Sequence, residues 1–150
     1  MARPLDCAII GGGMITHIQV LPSIYQLQRE GTVGDISVSA LNGAPLKALA
    51  GSGFLNESFP GQSFTPWPDF REVDPDEKFP DLYRELLASM KPRQVVAVAL
   101  PDQLHYGAVK EALAAEQHVM CVKPLVLNYE QAGEIEELAC ERGLVVGVEY

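Results

Sequence analysis

The chain has 150 residues, 47% of them hydrophobic, which is enough for one compact domain with a buried core. Its formal net charge of −9 and its isoelectric point near 4.7 argue against duplex nucleic acid as a partner. No apolar run is long enough to cross a membrane, and the first residues lack the apolar core of a signal peptide. We therefore expect a cytoplasmic protein without membrane or nucleic-acid partners.

The three cysteines, Cys7, Cys121 and Cys140, lie in apolar stretches and do not have the spacing of metal ligands. We predict that all three are buried free thiols, as is common in the reducing cytoplasm. A redox or nucleophilic role is the less favoured interpretation, and no metal site is predicted.

A short apolar run followed by three glycines stands near the start of the chain. Residues 7–10 predict a buried strand, and the apolar spacing from Met14 onward predicts a helix. Gly11 permits a sharp turn between them, and Gly13 leaves room for a pyrophosphate in front of the helix N-terminus. Thr16 occupies the third position of the G-x-G-x-x-G/A pattern. The pattern predicts a dinucleotide site, although many strand-to-helix turns carry glycine without a ligand.

The residue after the second strand is the position that usually distinguishes NAD from NADP as the cofactor. The helix predicted at residues 14–29 contains Pro22, which should kink it or remove a hydrogen bond. The alternating residues 36–41 predict the second strand, and Asn42 follows. Dinucleotide-binding folds usually hold an acid there for the ribose hydroxyls, whereas a 2′-phosphate calls for a nearby Arg. Asn42 supplies neither and is equally compatible with a left-handed turn residue, so NAD and NADP stay open.

The remaining segments alternate between helical and strand patterns. We predict helices at residues 44–55, 79–90, 103–116 and 128–142, and strands at residues 62–65, 95–100, 118–122 and 144–148. Asp102 and Asn128 are candidate N-caps for the last two helices, and Gly143 ends the last one. Six strands and five helices in alternation predict an α/β fold. We expect a doubly wound, Rossmann-type parallel sheet in three αβα layers, with strand order 3-2-1-4-5-6.

Two groups of residues allow a structural as well as a functional interpretation. The aromatic residues of the irregular region 56–80 could form a ligand-binding face, but aromatic residues more commonly cover the edge of a core. These residues are Trp67, Phe70 and Phe79. The acidic residues of the last helix are interpreted as a solvated face rather than a metal site; they are Glu130, Glu134, Glu137 and Glu141.

Three stretches together resemble the nucleotide-binding half of the Gfo/Idh/MocA family (glucose–fructose oxidoreductase, inositol dehydrogenase and MocA). They are the glycine turn at residues 11–16, Ala-Leu-Pro-Asp-Gln-Leu-His at residues 99–105, and residues 112–124, which end in Cys-Val-Lys-Pro. The resemblance covers essentially the whole chain. It implies NAD or NADP as the cofactor and sugars, inositols or related polyols as substrates.

The resemblance also implies roles for single residues. Lys123 matches the family's Glu-Lys-Pro pattern, with Val122 in place of the Glu, and would polarise or protonate the substrate hydroxyl at the nicotinamide edge. A surface lysine ending a strand is the alternative. Pro101 and His105 match a Pro-Asn-x-x-x-His turn along the cofactor, with Asp102 in place of the Asn, and His105 is given no catalytic role. The implied cofactor contacts are Gly11, Gly12, Gly13, Met14, Ile15, Asn42, Leu100, Pro101, His105, Lys123 and Pro124.

The resemblance further implies a second domain, with a catalytic Asp and His, that residues 1–150 do not contain. Two hypotheses follow: an oxidoreductase module that needs a second domain, or a nucleotide-binding or assembly protein without turnover, a truncated relic of the family. His17, His105 and His118 all belong to the nucleotide half, which favours the second hypothesis for the chain alone and the first for its ancestry. A second copy of the chain is the other expected partner, because residues 144–148 would leave an apolar strand edge exposed.

Overall fold

The computed structural model describes residues 3–150, which form one six-stranded sheet with helices on both faces. The strands are β1 (Leu5–Ile10), β2 (Val33–Ser39), β3 (Thr65–Trp67), β4 (Val95–Val98), β5 (His118–Val122) and β6 (Val146–Glu149). All neighbouring strands pair in parallel, in the order β3-β2-β1-β4-β5-β6. The doubly wound Rossmann-type sheet and the strand order 3-2-1-4-5-6 are confirmed.

Strand β1 lies where the strand order reverses. Ile9 is in register with Val38 of β2 on one side and with Ala97 of β4 on the other. All three residues are fully buried, as expected for parallel strands covered on both faces. The carboxyl ends of β1, β4 and β5 are therefore neighbours, and they outline the crevice in which ligands of such sheets bind.

Within residues 3–150, six α-helices cover the sheet: α1 (Leu21–Arg29), α2 (Gly43–Ala50), α3 (Gly53–Ser58), α4 (Leu82–Ser89), α5 (His105–Ala114) and α6 (Tyr129–Arg142). Helices α1, α2 and α3 share a core cluster with Ile9 of β1. Helices α4, α5 and α6 share a second cluster with Ala8 of the same strand. Because successive side chains of a strand point to opposite faces, β1 supplies both clusters, and the three αβα layers are confirmed.

The helix after the glycine turn is widened before α1. It begins at Met14 and contains a π-helical segment, Thr16–Val20, in which the Leu21 N–H donates to the Thr16 carbonyl oxygen, five residues back. A proline in a regular helix removes one hydrogen bond, and its ring clashes with the carbonyl four residues before it. The wide turn directly before Pro22 accommodates both effects. The predicted disruption is present as a π-turn.

Two predicted elements in the first half of the chain differ from the structure. The helix predicted at residues 44–55 is two helices, α2 and α3, because the Ser52 hydroxyl caps α3 by accepting from the Leu55 N–H at 3.3 Å. The third strand is β3 rather than residues 62–65. Pro66 suggested a strand end, but β3 is an edge strand, where a missing N–H is tolerated.

Other boundaries shift by a few residues. Strand β2 begins at Val33 and ends at Ser39, rather than spanning 36–41, and α4 is shorter than the predicted 79–90. Strand β4 ends at Val98, and β6 covers Val146–Glu149 instead of 144–148. Strand β5 has the predicted bounds.

The predicted helix caps of the second half have different outcomes. Asp102 is not an N-cap: it lies inside a 3₁₀ turn, Asp102–Leu104, that precedes α5, and its side chain caps neither element. The prediction for Asn128 is confirmed. It is the N-cap of α6, and its side-chain oxygen accepts from the Gln131 N–H at 2.9 Å. Gly143, with φ of 61°, ends that helix.

The three cysteines differ in their burial. Cys7 and Cys121 are buried free thiols, as predicted, but Cys140 is exposed, because it lies on the outer side of α6 next to the inward-facing Ala139. No group of His, Cys, Asp and Glu within residues 3–150 could hold a metal ion. Among the same residues, no helix combines the length and apolar character needed to span a bilayer.

Candidate functional site

The turn after β1 is closed by contacts that only glycine permits. Gly11 has φ of 116°, and a Cβ there would lie 2.1 Å from the Ala99 carbonyl oxygen. Its N–H donates to the Ser39 carbonyl oxygen at 2.8 Å. The turn is thus held between the ends of β2 and β4, and no other residue fits at position 11 without moving the backbone.

Thr16 secures the same turn from the helix. Its hydroxyl donates to the Gly11 carbonyl oxygen at 2.6 Å, and the side chain is fully buried. Gly12 completes the packing, because a Cβ there would lie 3.1 Å from the Ala40 Cβ and 3.2 Å from the Pro45 Cβ. The turn is therefore held by contacts within the protein itself.

Gly13 is the open point of the turn. A Cβ added there meets no protein atom within 4 Å, and the Gly13 carbonyl oxygen accepts the His17 N–H at 3.1 Å. The N–H groups that open a helix have no acceptor within it, and with the helix dipole they attract an anion. Met14 is 71% exposed, whereas the Ile15 side chain is partly buried and packs against the core. The arrangement suits a phosphate or pyrophosphate in front of Gly13.

Asn42 follows β2 at the same edge of the sheet. Its backbone is extended, with φ of −145° and ψ of 175°, so the left-handed turn conformation considered above is wrong. The side chain makes no capping hydrogen bond to α2 and is half-buried. The Asn42 amide therefore remains compatible with a contact to a ligand at the end of β2.

The loop between β3 and α4 covers this end of the site, which the sequence did not predict. The Phe79 N–H donates to the Leu41 carbonyl oxygen at 2.7 Å. A Cβ at Gly43 would lie 3.2 Å from the Phe70 Cβ and 3.4 Å from a Val73 methyl carbon. In the sequence, Gly43 was the one sign of this contact, because a glycine often marks a close approach of two segments. Trp67 and Phe70 pack against the two core clusters, so these aromatic residues cover core edges.

The ends of β4 and β5 are joined by one buried side chain. His105 is fully buried, with its Nε2 2.7 Å from the Leu100 carbonyl oxygen and its Nδ1 2.5 Å from the Pro124 carbonyl oxygen. Its ring has no exposed surface, so a direct contact with a dinucleotide is not available to it in this structure. His105 instead contacts the backbone of the two segments that follow β4 and β5, at Leu100 and Pro124.

Lys123 lies at the carboxyl edge of the sheet, directly after β5. Its side chain is exposed, and its N–H donates to the Glu149 carbonyl oxygen of β6 at 2.9 Å. The ion pairs found within residues 3–150 do not include Lys123. The lysine is therefore a charged group at the crevice, one strand beyond Leu100 and two beyond the glycine turn.

Large apolar side chains are exposed around the same edge. Met14 follows β1, Leu41 follows β2 and is 50% exposed, and Leu104 follows β4 and is 51% exposed. Exposed apolar side chains grouped in this way commonly mark a surface that a ligand or partner covers. Leu41 and Leu104 were not among the predicted site residues, because an isolated exposed leucine has no sequence signature.

The fold and the glycine turn define this chain as a dinucleotide-binding domain of the doubly wound α/β class. The family described as "Oxidoreductase family, NAD-binding Rossmann fold" (Gfo/Idh/MocA) matches residues 5–150. The chain belongs to this family and matches its NAD-binding Rossmann domain.

Two relatives match along almost the whole chain. The uncharacterized oxidoreductase YfiI of Bacillus subtilis is 30% identical over 154 residues, which is 100% of this chain and 35% of YfiI. The D-glucoside 3-dehydrogenase of Escherichia coli is 38% identical over 149 residues, which is 99% of this chain and 35% of that enzyme. The chain thus spans about a third of the length of these relatives.

Solved structures share the fold. KijD10, a 3-ketoreductase from Actinomadura kijaniata in complex with NADP and TDP-benzene, superposes with a TM-score of 0.69 at 25% identity. The match covers 97% of this chain and 37% of KijD10. An NAD binding oxidoreductase from Klebsiella pneumoniae gives a TM-score of 0.67 at 22% identity, over 99% of this chain and 35% of that one, a likeness in fold.

Proposed function

We propose that residues 1–150 are the dinucleotide-binding domain of an oxidoreductase that acts on a hydroxyl or keto group of a sugar or related polyol. The observation that carries the proposal is the glycine turn, which is closed at Gly11 and open at Gly13 in front of a helix N-terminus. The name of one relative, a D-glucoside 3-dehydrogenase, supports a sugar as the substrate, and the name of KijD10, a 3-ketoreductase, supports a keto group as the reacting group.

The segments after β4 and β5 would hold the cofactor along the crevice, with the pyrophosphate at Gly13 and the adenosine end near Asn42. The bound dinucleotide supplies hydride transfer, which the protein's side chains do not perform. Lys123 would hold the substrate oxygen and donate a proton to it in the direction of carbonyl reduction. Its exposed position after a central strand supports this role.

We propose that this chain alone binds the dinucleotide without turning substrate over, because its histidines are all engaged elsewhere. The Nε2 of His17 lies 2.7 Å from the Ser52 hydroxyl, and the His105 ring is buried between two carbonyl oxygens. His118 opens β5 at the opposite edge of the sheet, where its Nδ1 accepts the Val145 N–H at 3.1 Å. Burial and the neighbouring Arg93 lower the pKa of His118. The second acid–base group would then come from a second domain.

A homodimer in a reducing compartment such as the cytoplasm is the accompanying proposal. Strand β6 is an edge strand, and Val145, Val148 and Tyr150 beside its free edge are exposed. An open apolar edge favours pairing with a second copy, and a two-fold arrangement would cover both edges. Light scattering should give twice the monomer mass of 16.3 kDa at micromolar concentration. A monomer mass throughout a dilution series would contradict the dimer.

Calorimetric titration with NAD, NADH, NADP and NADPH tests the proposed function. We expect micromolar or weaker binding of at least one of them, about −8 kcal/mol or less in magnitude, because this chain covers one side of the ligand only. Absence of binding by all four dinucleotides at millimolar concentration would contradict it.

A further inference from the structure

The His105 ring is shared between two carbonyl oxygens that belong to different strand ends. The Leu100 oxygen, 2.7 Å from Nε2, follows β4, and the Pro124 oxygen, 2.5 Å from Nδ1, follows β5. A carbonyl oxygen can only accept, so each of these distances requires an N–H on the ring nitrogen. A neutral imidazole carries one N–H and leaves its second nitrogen as an acceptor facing an acceptor. Only the doubly protonated ring forms both bonds.

We propose that His105 is an imidazolium that fixes the separation of the Leu100–Pro101 and Lys123–Pro124 segments, and is thereby a positioning residue for the dinucleotide crevice. The proposed protonation state of His105 does not depend on whether the chain binds a dinucleotide. Its consequence for dinucleotide affinity rests on the proposed function.

The surroundings are consistent with a buried cation at this point. Two charge-assisted hydrogen bonds would satisfy both N–H groups and so offset part of the cost of burying the charge. Lys123 and Asp102 are the charged residues closest in sequence to its bonding partners, and both are exposed to solvent. On β5, burial raises the pKa of the Cys121 thiol to about 12, so it stays neutral.

The other charged groups on the elements packed against α5 are engaged at the surface. They form the ion pairs Arg84–Asp81, Arg84–Glu111, Lys110–Glu134 and Arg142–Glu116. The glutamates of α4 and α6 that are not in these pairs are exposed to solvent. His118 lies at the far end of β5. No described carboxylate hydrogen-bonds to His105, so its ring nitrogens face the partial negative charges of two backbone carbonyl oxygens.

A second bridging side chain provides a matched control. Gln117 is also fully buried, and its amide nitrogen donates to the Lys91 and Ala115 carbonyl oxygens at 2.9 and 2.8 Å. It precedes β5 and therefore joins loops at the amino edge of the sheet, away from the crevice. Gln117→Leu and His105→Phe each remove a buried polar bridge, but only the second alters the dinucleotide side.

Nuclear magnetic resonance of the ring nitrogens tests the proposal in the full chain without dinucleotide. At neutral pH we expect both His105 ring nitrogens to show the chemical shifts and one-bond couplings of N–H groups. A neutral ring with a single N–H would overturn the proposal, whether or not the chain binds a dinucleotide.

Calorimetry with the best-binding dinucleotide tests the consequence. Both variants should melt at a lower temperature than the parent, but His105→Phe should weaken binding at least tenfold further than Gln117→Leu does. Equal affinities of the two variants would overturn the positioning role. If the parent chain binds no dinucleotide, the proposed function fails, and the ring resonances still decide the protonation of His105.

Discussion

Replacing Gly13 by valine should separate dinucleotide binding from folding. A Cβ at this position meets no protein atom within 4 Å, and Gly13 is not among the residues with positive φ. The variant should therefore fold, at a cost of about 1 kcal/mol for exchanging a glycine at the start of the helix for a poor capping residue. The structure thus predicts a stable protein with an altered site.

The expected loss of affinity follows from what the valine methyl groups would displace. They would occupy the space in front of the first helical N–H groups, where the pyrophosphate is proposed to lie. Losing two hydrogen bonds to a charged group, at about 1.5–3 kcal/mol each, weakens binding by about 3–6 kcal/mol. A micromolar complex would become weaker by about two to four orders of magnitude.

Calorimetric titration measures the affinity, and thermal unfolding followed by circular dichroism measures the stability of the same sample. Gly133→Val is the matched control, because Gly133 lies in α6 and a Cβ there also meets no atom within 4 Å. The control should bind like the parent chain. A Gly13→Val protein that melts normally and binds with the parent's affinity would refute the assignment of the pyrophosphate site.

Four further outcomes are expected. Gly11→Ala should destabilise the fold by about 2 kcal/mol or more in urea unfolding, since its Cβ would lie 2.1 Å from a carbonyl oxygen at φ of 116°; a normal midpoint would contradict this. Cys140 should react with a thiol reagent in the native protein at pH 8, whereas Cys7 and Cys121 should not. Burial raises the pKa of both buried thiols from 9.0 to about 12, so between these pH values the unfolded chain releases protons that the folded chain retains, and the free energy of unfolding should fall as pH rises. The chain alone should not oxidise polyols, and steady NADH formation that Lys123→Ala abolishes would show the opposite.

Local patterns were sufficient for the framework of the fold. The apolar runs that became β1, β4 and β5 mark strands buried on both faces, and alternation with helices implies parallel pairing through right-handed crossovers. Asn128 and Gly143 act within a few residues of their own position, so short-range rules identified both ends of α6. The glycine turn was recognisable for the same reason.

Contacts between distant segments produced the errors. The third strand was predicted at residues 62–65, ending before Pro66, but it is Thr65–Trp67. A proline is tolerated within it because β3 is an edge strand, which is a property of the assembled sheet. Cys140 was predicted to be buried, but one position around a helix separates it from the buried Ala139. The Phe79–Leu41 hydrogen bond joins segments that no spacing rule connects.

The sequence by itself determined the family, the strand order and the place of the dinucleotide turn, because each depends on residues that are close along the chain or on regular alternation. Only the tertiary structure decided the condition of the site: that Gly11 is closed by Ala99, that Gly13 is open, and that His105 is buried between Leu100 and Pro124. These are distances between separate strand ends. They exist only after the sheet brings those ends together, so the physical reason for each lies in the packing of the folded chain.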